Sequence, residues 1–253
     1  MTGLTHRYLD VRDRDAVAAM VAGVRPDVIV NCAAYVDVEA CETNRDLAFA
    51  VNADGVRNLI ETGVRIVHIS TDYVFDGAAR QPYAEDAATH PINVYGASKL
   101  AGEKFAAGQL VVRSSGLYGV AATRAKGNFV RTMLQLGRVK GEVSVVTDQV
   151  LAPTSTDDLA RALWPLVDAG ARGVYHVTNA GSCSWFEFAQ AIYSLSDLKV
   201  RVLPVDSETL GYKAARPPYS VLSNAKLERD GFAPLRPWRE ALASHLKALA
   251  PLT

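Results

Sequence analysis

The sequence is poor in cysteine: Cys32, Cys41 and Cys183 are its three thiols in 253 residues, an odd number without CxxC spacing. That excludes a disulfide framework and points to a reducing compartment, with the thiols as buried, inert side chains. Neither charge is in excess, since 27 basic residues balance 27 acidic ones, and there is no long Lys/Arg run. Nucleic acid and anionic membranes are therefore not the expected partners, whereas a neutral surface suits a metabolic enzyme. No window approaches the roughly 18 consecutive apolar residues of a membrane span, and the start of the chain carries Arg7 and Asp10 without an apolar stretch. Neither a span nor a signal peptide is expected, and the expected location is cytoplasmic. Internal repeats and low-complexity tracts are missing as well. What is present is 49% hydrophobic and 21% charged residues, a globular composition able to bury one large core or two modest ones.

Periodicity organises the rest. A short strand is expected at 7–10, a helix with an acidic first turn at 13–24, and a strand buried on both faces in PDVIVNCAA. A helical segment from about 42 to 62 stops at Gly63, and RIVHIS, 65–70, reads as another buried strand. NVYGASKLAGEKFAAG, 93–108, reads as a helix and QLVVRSS, 109–115, as a strand. Strands alternating with such helices predict an α/β fold, a Rossmann-like doubly wound parallel sheet. After about residue 118 loops lengthen and Pro and Gly become frequent. The chain is expected to divide there into one unit, 1–118, and a smaller α/β region, 119–253, with room for a strand or helix to return to the first. Helices are expected in the second part near 127–136, 156–168, 185–195 and 238–249, and strands at 143–146, 174–177 and 200–203.

The local signal with most chemistry is Tyr95-Gly96-Ala97-Ser98-Lys99 on the 93–108 helix. Residues four apart share a helix face, so an ammonium stands one turn from a phenol. An unperturbed phenol, with a pKa of about 10, exchanges protons poorly at neutrality, and a nearby cation favours its phenolate. Chance alone yields such a pair in roughly one chain in three of this composition, so context decides. That context is STDYVFDG, where Ser70, Thr71 and Asp72 follow a buried strand. Ligands of parallel sheets bind beyond the carboxyl ends of the strands, although the same three residues also suit a side-chain-capped turn. NCAAYV ends the preceding strand, and its small Ala33 and Ala34 let a flat ring approach the backbone.

Here the sequence resembles the extended short-chain dehydrogenase/reductases, and within them the dTDP-4-dehydrorhamnose reductases. The resemblance runs through RPDVIVNCAAYVDVEACE, VNADGVRNLIE, HISTDYVFDG, NVYGASKLAGE, VVRSSGLYG, VVTDQVLAPTSTDDLARAL and RPPYSVLSNAKLE, in order. It implies that Tyr95 is the proton donor, that Lys99 lowers its pKa and holds the nicotinamide ribose, and that Thr71 polarises the carbonyl. It places Asp10 and Val11 beside the adenine, and Ala33, Ala34 and Tyr35 along the cofactor, with Ser70 nearby. Asn52 matches a family asparagine, for which a helix hydrogen-bonding role stands beside a catalytic one. Tyr73, Gly116, Asn128, Gln149 and Arg216 fall where the family binds its nucleotide-sugar, and Arg216 suits a diphosphate by charge and fork geometry, or a solvated loop. The implied reaction is hydride transfer from NADPH or NADH to the C4 ketone of a nucleotide-activated deoxysugar, most closely dTDP-4-dehydrorhamnose to dTDP-rhamnose. A homodimer is compatible with it.

Departures qualify that expectation. Family reductases often carry Trp where this chain has Gly116, which removes a stacking surface from the sugar pocket. The sister dehydratases follow Thr-Asp with Glu, and Tyr73 stands there instead, which speaks against dehydration. Two rival readings are a non-catalytic cofactor-binding subunit resembling the regulatory subunit of methionine adenosyltransferase, and a sugar-nucleotide epimerase of the same superfamily. The five histidines are dispersed, and no metal site is expected. By motif, RYLDVRD falls at the third strand of such a domain, so a strand, glycine-rich loop, helix and strand of roughly 30 residues or more would precede it. On that expectation the chain is a late start or a truncation, RYLDV lacks a neighbour and DVIVN is an exposed edge.

Overall fold

The computed structural model describes residues 2–121 and 127–249. Helix α1 (Arg14–Val24) leads to β1 (Val28–Asn31), and α2 (Val38–Thr43), α3 (Arg45–Phe49), a π turn (Ala50–Asp54) and α4 (Gly55–Ile60) lead to β2 (Arg65–Thr71). Then α5 (Val94–Phe105) leads to β3 (Leu110–Ser114). Beyond lie β4 (Leu117–Tyr118), α6 (Phe129–Val139), β5 (Glu142–Val146), β6 (Val150–Leu151), β7 (Thr154–Ser155), α7 (Thr156–Asp168) and β8 (Gly173–His176). The order closes with β9 (Cys183–Ser184), α8 (Trp185–Leu195), β10 (Arg201–Val205), α9 (Ala225–Arg229) and α10 (Trp238–Ala248).

Strands β1, β2, β3 and β8 lie side by side and all parallel, with Ile29 opposite Ile66, Val67 opposite Leu110 and Val111 opposite Val174. Their continuous apolar runs follow from coverage on both faces. Ile66 packs with Val17 of α1 and Leu59 of α4, while Val67, Leu110 and Val112 pack on the other side with Leu159 and Leu166 of α7 and Leu227 of α9. The segment after residue 118 thus returns both a strand and a helix to the main sheet. A second core gathers Val130 and Leu134 of α6, Val143 and Val145 of β5, Phe188 and Ile192 of α8 and Leu242 of α10. Parallel pairing of β10 with β5 adds a small sheet to it.

Helices 156–168 and 185–195 fall where periodicity puts them. The strand expected at 7–10 does not form. Residues 6–8 turn instead, Tyr8 is exposed, and the Asp10 carboxylate closes on the Arg12 guanidinium at 2.5 Å. A parallel strand needs a neighbouring ladder, and among the described residues nothing pairs with the outer edge of β1. Only Leu9 and Val11 reach apolar company, against Val17, Leu59 and Ile66. The helical segment expected over 42–62 is present over 45–60 and stops before Gly63, but its first turn belongs to a separate short helix that starts at Val38 and ends at Asn44. Asn44 donates its side-chain amide to Ala40 O at 2.9 Å and closes α2, and the π turn then carries Asn52 inward. Helix α6 begins at Phe129 rather than 127 because Asn128 caps it. No helix among the described residues is long and apolar enough to cross a membrane.

Candidate active site

Two elements bring the predicted acid/base group together. Thr71 ends β2, and its hydroxyl accepts the Tyr73 N–H at 3.2 Å, closing a 3-10 turn over Asp72–Val74. Asn93 caps α5 by accepting the Gly96 N–H at 2.7 Å, which sets Tyr95 in the first turn and Lys99 one turn later. Gly96 is required by proximity, because a Cβ there would overlap the Tyr73 carbonyl oxygen. The rings of Tyr73 and Tyr95 meet edge to face at 5.8 Å.

Burial sets the electrostatics. Lys99 is 2% exposed and donates from Nζ to the Ile69 carbonyl at 2.6 Å. Desolvation pulls its pKa down to about 8, while the Glu103 and Cys32 side chains oppose the fall. The sequence reading has Lys99 lowering Tyr95, but here desolvation raises the phenol above its ordinary value, opposed by a hydrogen bond with Thr71. Asp72, 3% exposed, accepts from Thr71 Oγ1 at 3.0 Å and Ser115 Oγ at 2.8 Å. Its pKa is raised by burial, against the pull of the Ser220, Ser115 and Thr71 hydroxyls.

These groups open onto a cavity of about 180 Å³ lined by Thr71, Asp72, Tyr73, Tyr95, Gly116 and Gln149 among others. Gln149 also donates to Ser207 Oγ at 2.6 Å. Gly116 has φ +53° and Leu151 pressed against it, so a large side chain at this position would be strained. Trp185, at the start of α8, lines the cavity instead, and with Val36, Pro217 and Ser220 it escaped the sequence reading. Arg216 is held beside the cavity by Glu39 Oε1 at 2.9 Å and the Tyr212 ring at 4.2 Å. Asn128 is not gathered into this cavity: its side chain caps α6 and donates to Gly119 O at 2.9 Å.

The expected cofactor-lining residues flank the end of β1. Asn31 Oδ1 accepts the Ala33 N–H at 3.0 Å, and Ala33 and Ala34 leave small, accessible side chains there. Asn52 accepts from Tyr35 N at 2.8 Å and donates to Tyr35 O at 3.1 Å and to Ser98 Oγ at 2.9 Å. All its polar atoms are thus engaged in locking the loop to the helix. Ser70 donates to Glu103 Oε1 at 2.5 Å, and Glu103 takes a two-pronged ion pair from Arg113 at 2.9 and 2.7 Å. Ser70 therefore braces the sheet against α5. Val11 packs on Gly55 and its carbonyl accepts from Asn58 at 2.9 Å, while Asp10, paired with Arg12, has its pKa lowered to about 2. Among the described residues no three His, Cys, Asp or Glu side chains converge as a metal site.

A family model described as the RmlD substrate binding domain matches residues 1–250. The chain is 41% identical to a spore coat polysaccharide biosynthesis protein of Bacillus subtilis, over 96% of this chain and 87% of that one. It is 40% identical to a dTDP-4-keto-6-deoxy-D-glucose reductase of Streptomyces niveus, covering 96% and 86%. The crystal structure of dTDP-4-dehydrorhamnose reductase from Bacillus anthracis in complex with NADP superposes with a TM-score of 0.92 at 42% identity, covering 96% of this chain and 88% of that one. A parallel sheet whose second strand delivers a Thr to a Tyr and Lys one helical turn apart defines an extended short-chain dehydrogenase/reductase. Within that class, the chain belongs to the dTDP-4-dehydrorhamnose reductase family.

Proposed function

We propose that this chain reduces the C4 ketone of a dTDP-activated 4-keto-6-deoxyhexose with NADPH, dTDP-4-dehydrorhamnose being the substrate for which several of its relatives are named. One observation carries the reading: Thr71 and Tyr95 share the wall of one cavity, with the buried Lys99 one helical turn behind Tyr95. The nicotinamide riboside half of the cofactor fits the residues present, because Ala33 and Ala34 offer an open, small-side-chain shelf at the end of β1 and Lys99 is a buried donor close by. Ala33, Ala34, Tyr35 and Lys99 would hold it, and when bound it supplies the hydride. No glycine-rich turn stands at a helix N-terminus beside β1 among the described residues, so the diphosphate of the cofactor is assigned no ligands here.

The chain's own chemistry is proton delivery and alignment. A phenol raised by burial keeps its proton at neutral pH, which suits Tyr95 as donor to the alkoxide that forms at C4. Thr71 can turn its hydroxyl from Asp72 to the ketone oxygen, while Ser115 continues to donate to the carboxylate. The Lys99 ammonium stabilises negative charge as the phenol gives up its proton. Trp185, Gln149 and Tyr73 line the space left for the sugar nucleotide.

The test is the loss of NADPH absorbance on mixing purified protein with dTDP-4-keto-6-deoxyglucose after its 3,5-epimerisation. Turnover is expected for the wild type and not for Tyr95→Phe. Binding of NADPH without turnover by the wild type would instead favour a cofactor-binding subunit.

A further inference from the structure

Residues 212–218 form a strap along the cavity mouth, and residues of the cofactor-binding side fasten it. Glu39 of α2 accepts the Lys213 N–H at 2.9 Å with one carboxylate oxygen and Arg216 Nη2 at 2.9 Å with the other. Pro217 then reaches the cavity wall, and the backbone of Val150 takes over beyond it, donating to Pro218 O at 2.8 Å. Between these fastenings sits one more bond. Asn93, 7% exposed, donates from Nδ2 to Ala215 O at 2.8 Å. The same side chain accepts the Gly96 N–H and so caps the helix that carries Tyr95 two residues further on.

We propose, building on the reductase reading above, that Asn93 is a positioning residue that keeps the strap, and with it the diphosphate end of the nucleotide-sugar, in register with the acid/base helix. One amide performs both tasks because its two ends face different partners: the oxygen faces the helix N-terminus and the nitrogen faces the strap. Arg216, next to Pro217 of the cavity wall, is held by Glu39 and lies over the Tyr212 ring, and Tyr73 of the same wall meets the Tyr95 ring. A diphosphate competing with Glu39 for the guanidinium pulls on the strap next to the bond that Asn93 holds. Interaction with a remote, unreacting part of the substrate is thereby spent on alignment at C4, the arrangement in which remote contacts raise turnover as well as affinity.

The two roles separate by substitution. Asn93→Asp and Asn93→Ser both keep a good helix cap. Asp sets a carboxylate against the Ala215 carbonyl, and Ser is too short to reach it, so both lose the strap bond alone. Asn93→Ala loses cap and strap together. For Ser the expected thermal midpoint is near wild type, and for Asp it is lower, because a carboxylate is buried against a carbonyl; both should show faster amide exchange within 212–216 and dTDP affinity weakened roughly fivefold to tenfold, the size of one net hydrogen bond. With the sugar nucleotide its KM rises and kcat falls, while the KM for NADPH stays unchanged. Wild-type dTDP affinity and unaltered strap exchange in both variants would overturn the proposal. Binding and exchange need no turnover, so a wild type that never oxidises NADPH sinks the reductase reading while the strap bond is still decided.

Discussion

The ammonium of Lys99 lies 2.6 Å from the carbonyl oxygen of Ile69, two residues before Thr71 on the same strand. Helix α5 is thereby bolted to the strand that delivers the carbonyl-polarising hydroxyl, and the charge that serves Tyr95 is held in a buried place where it is costly. From that relationship the dependence of activity on pH follows.

Lys99 titrates near 8 in the folded chain, with Glu103 and Cys32 facing it, whereas Tyr95 is held above its ordinary value. Turnover is therefore expected to decline as pH rises through about 8, on the Lys99 ionisation. Lys99→Arg should move that limb upward whatever it does to the maximal rate. The stability consequence has the opposite sense. With a folded value of about 8 against an ordinary 10.5, the unfolded chain binds more protons in that window, so the Lys99 contribution makes the fold more stable as pH rises from 8 to 10.5. Denaturant midpoints of wild type and Lys99→Met across this range check the sign.

Tyr95→Phe keeps the ring that meets Tyr73 and removes only the hydroxyl. A fall in kcat of roughly a hundredfold to ten-thousandfold is expected, with unchanged NADPH affinity. A fall of less than tenfold would reassign the proton donor.

Gly96→Ala tests the packing that makes the site. Its new methyl group would drive α5 away from the Tyr73 carbonyl oxygen, and a loss of about 1–3 kcal/mol is expected in urea melts. Activity should fall further than stability, since Tyr95 moves with the helix.

Arg113 and Glu103 form a buried pair, 5% and 6% exposed, with Ser70 as third member. Arg113→Ala leaves an unpaired carboxylate in the core and should cost about 3–5 kcal/mol in a denaturation measurement. Ser70→Ala should weaken the fold slightly and leave NADPH affinity intact, which distinguishes a structural hydroxyl from a cofactor ligand.

Trp185→Ala should raise the KM for the sugar nucleotide several-fold with the KM for NADPH unchanged, because the indole lines the cavity and Ala33, Ala34 and Lys99 do not. Phe at the same position should recover most of the loss.

The sheet and the acid/base group were legible because both are local in sequence. Apolar runs declare buried strands such as Arg65–Thr71, and a Tyr and a Lys four apart fall on one helix face wherever that helix lies. The strand expected at 7–10 failed because pairing depends on a neighbour, and the lack of one that the motif order implied leaves β1 at the edge of the sheet among the described residues. The helical segment over 42–62 was legible except at its start, because periodicity cannot register an asparagine that ends one helix while another begins beside it. Trp185, Val36 and Ser220 went unseen because they converge on the cavity from segments far apart in the chain. Ser70 and Asn128 stand at positions the family resemblance marks, yet their polar atoms are taken up by Glu103 and by a helix cap. Only the hydrogen-bond partners separate those uses.

The most direct measurement is isotopic: turnover with NADPH deuterated at the transferable position of the nicotinamide, followed by NMR of the isolated sugar nucleotide. One deuterium at C4 of the hexose, alongside a new hydroxyl, is the result expected of a reductase built on Thr71, Tyr95 and Lys99. A product without deuterium at C4, or substrate returned unchanged while NADPH stays bound, would contradict it.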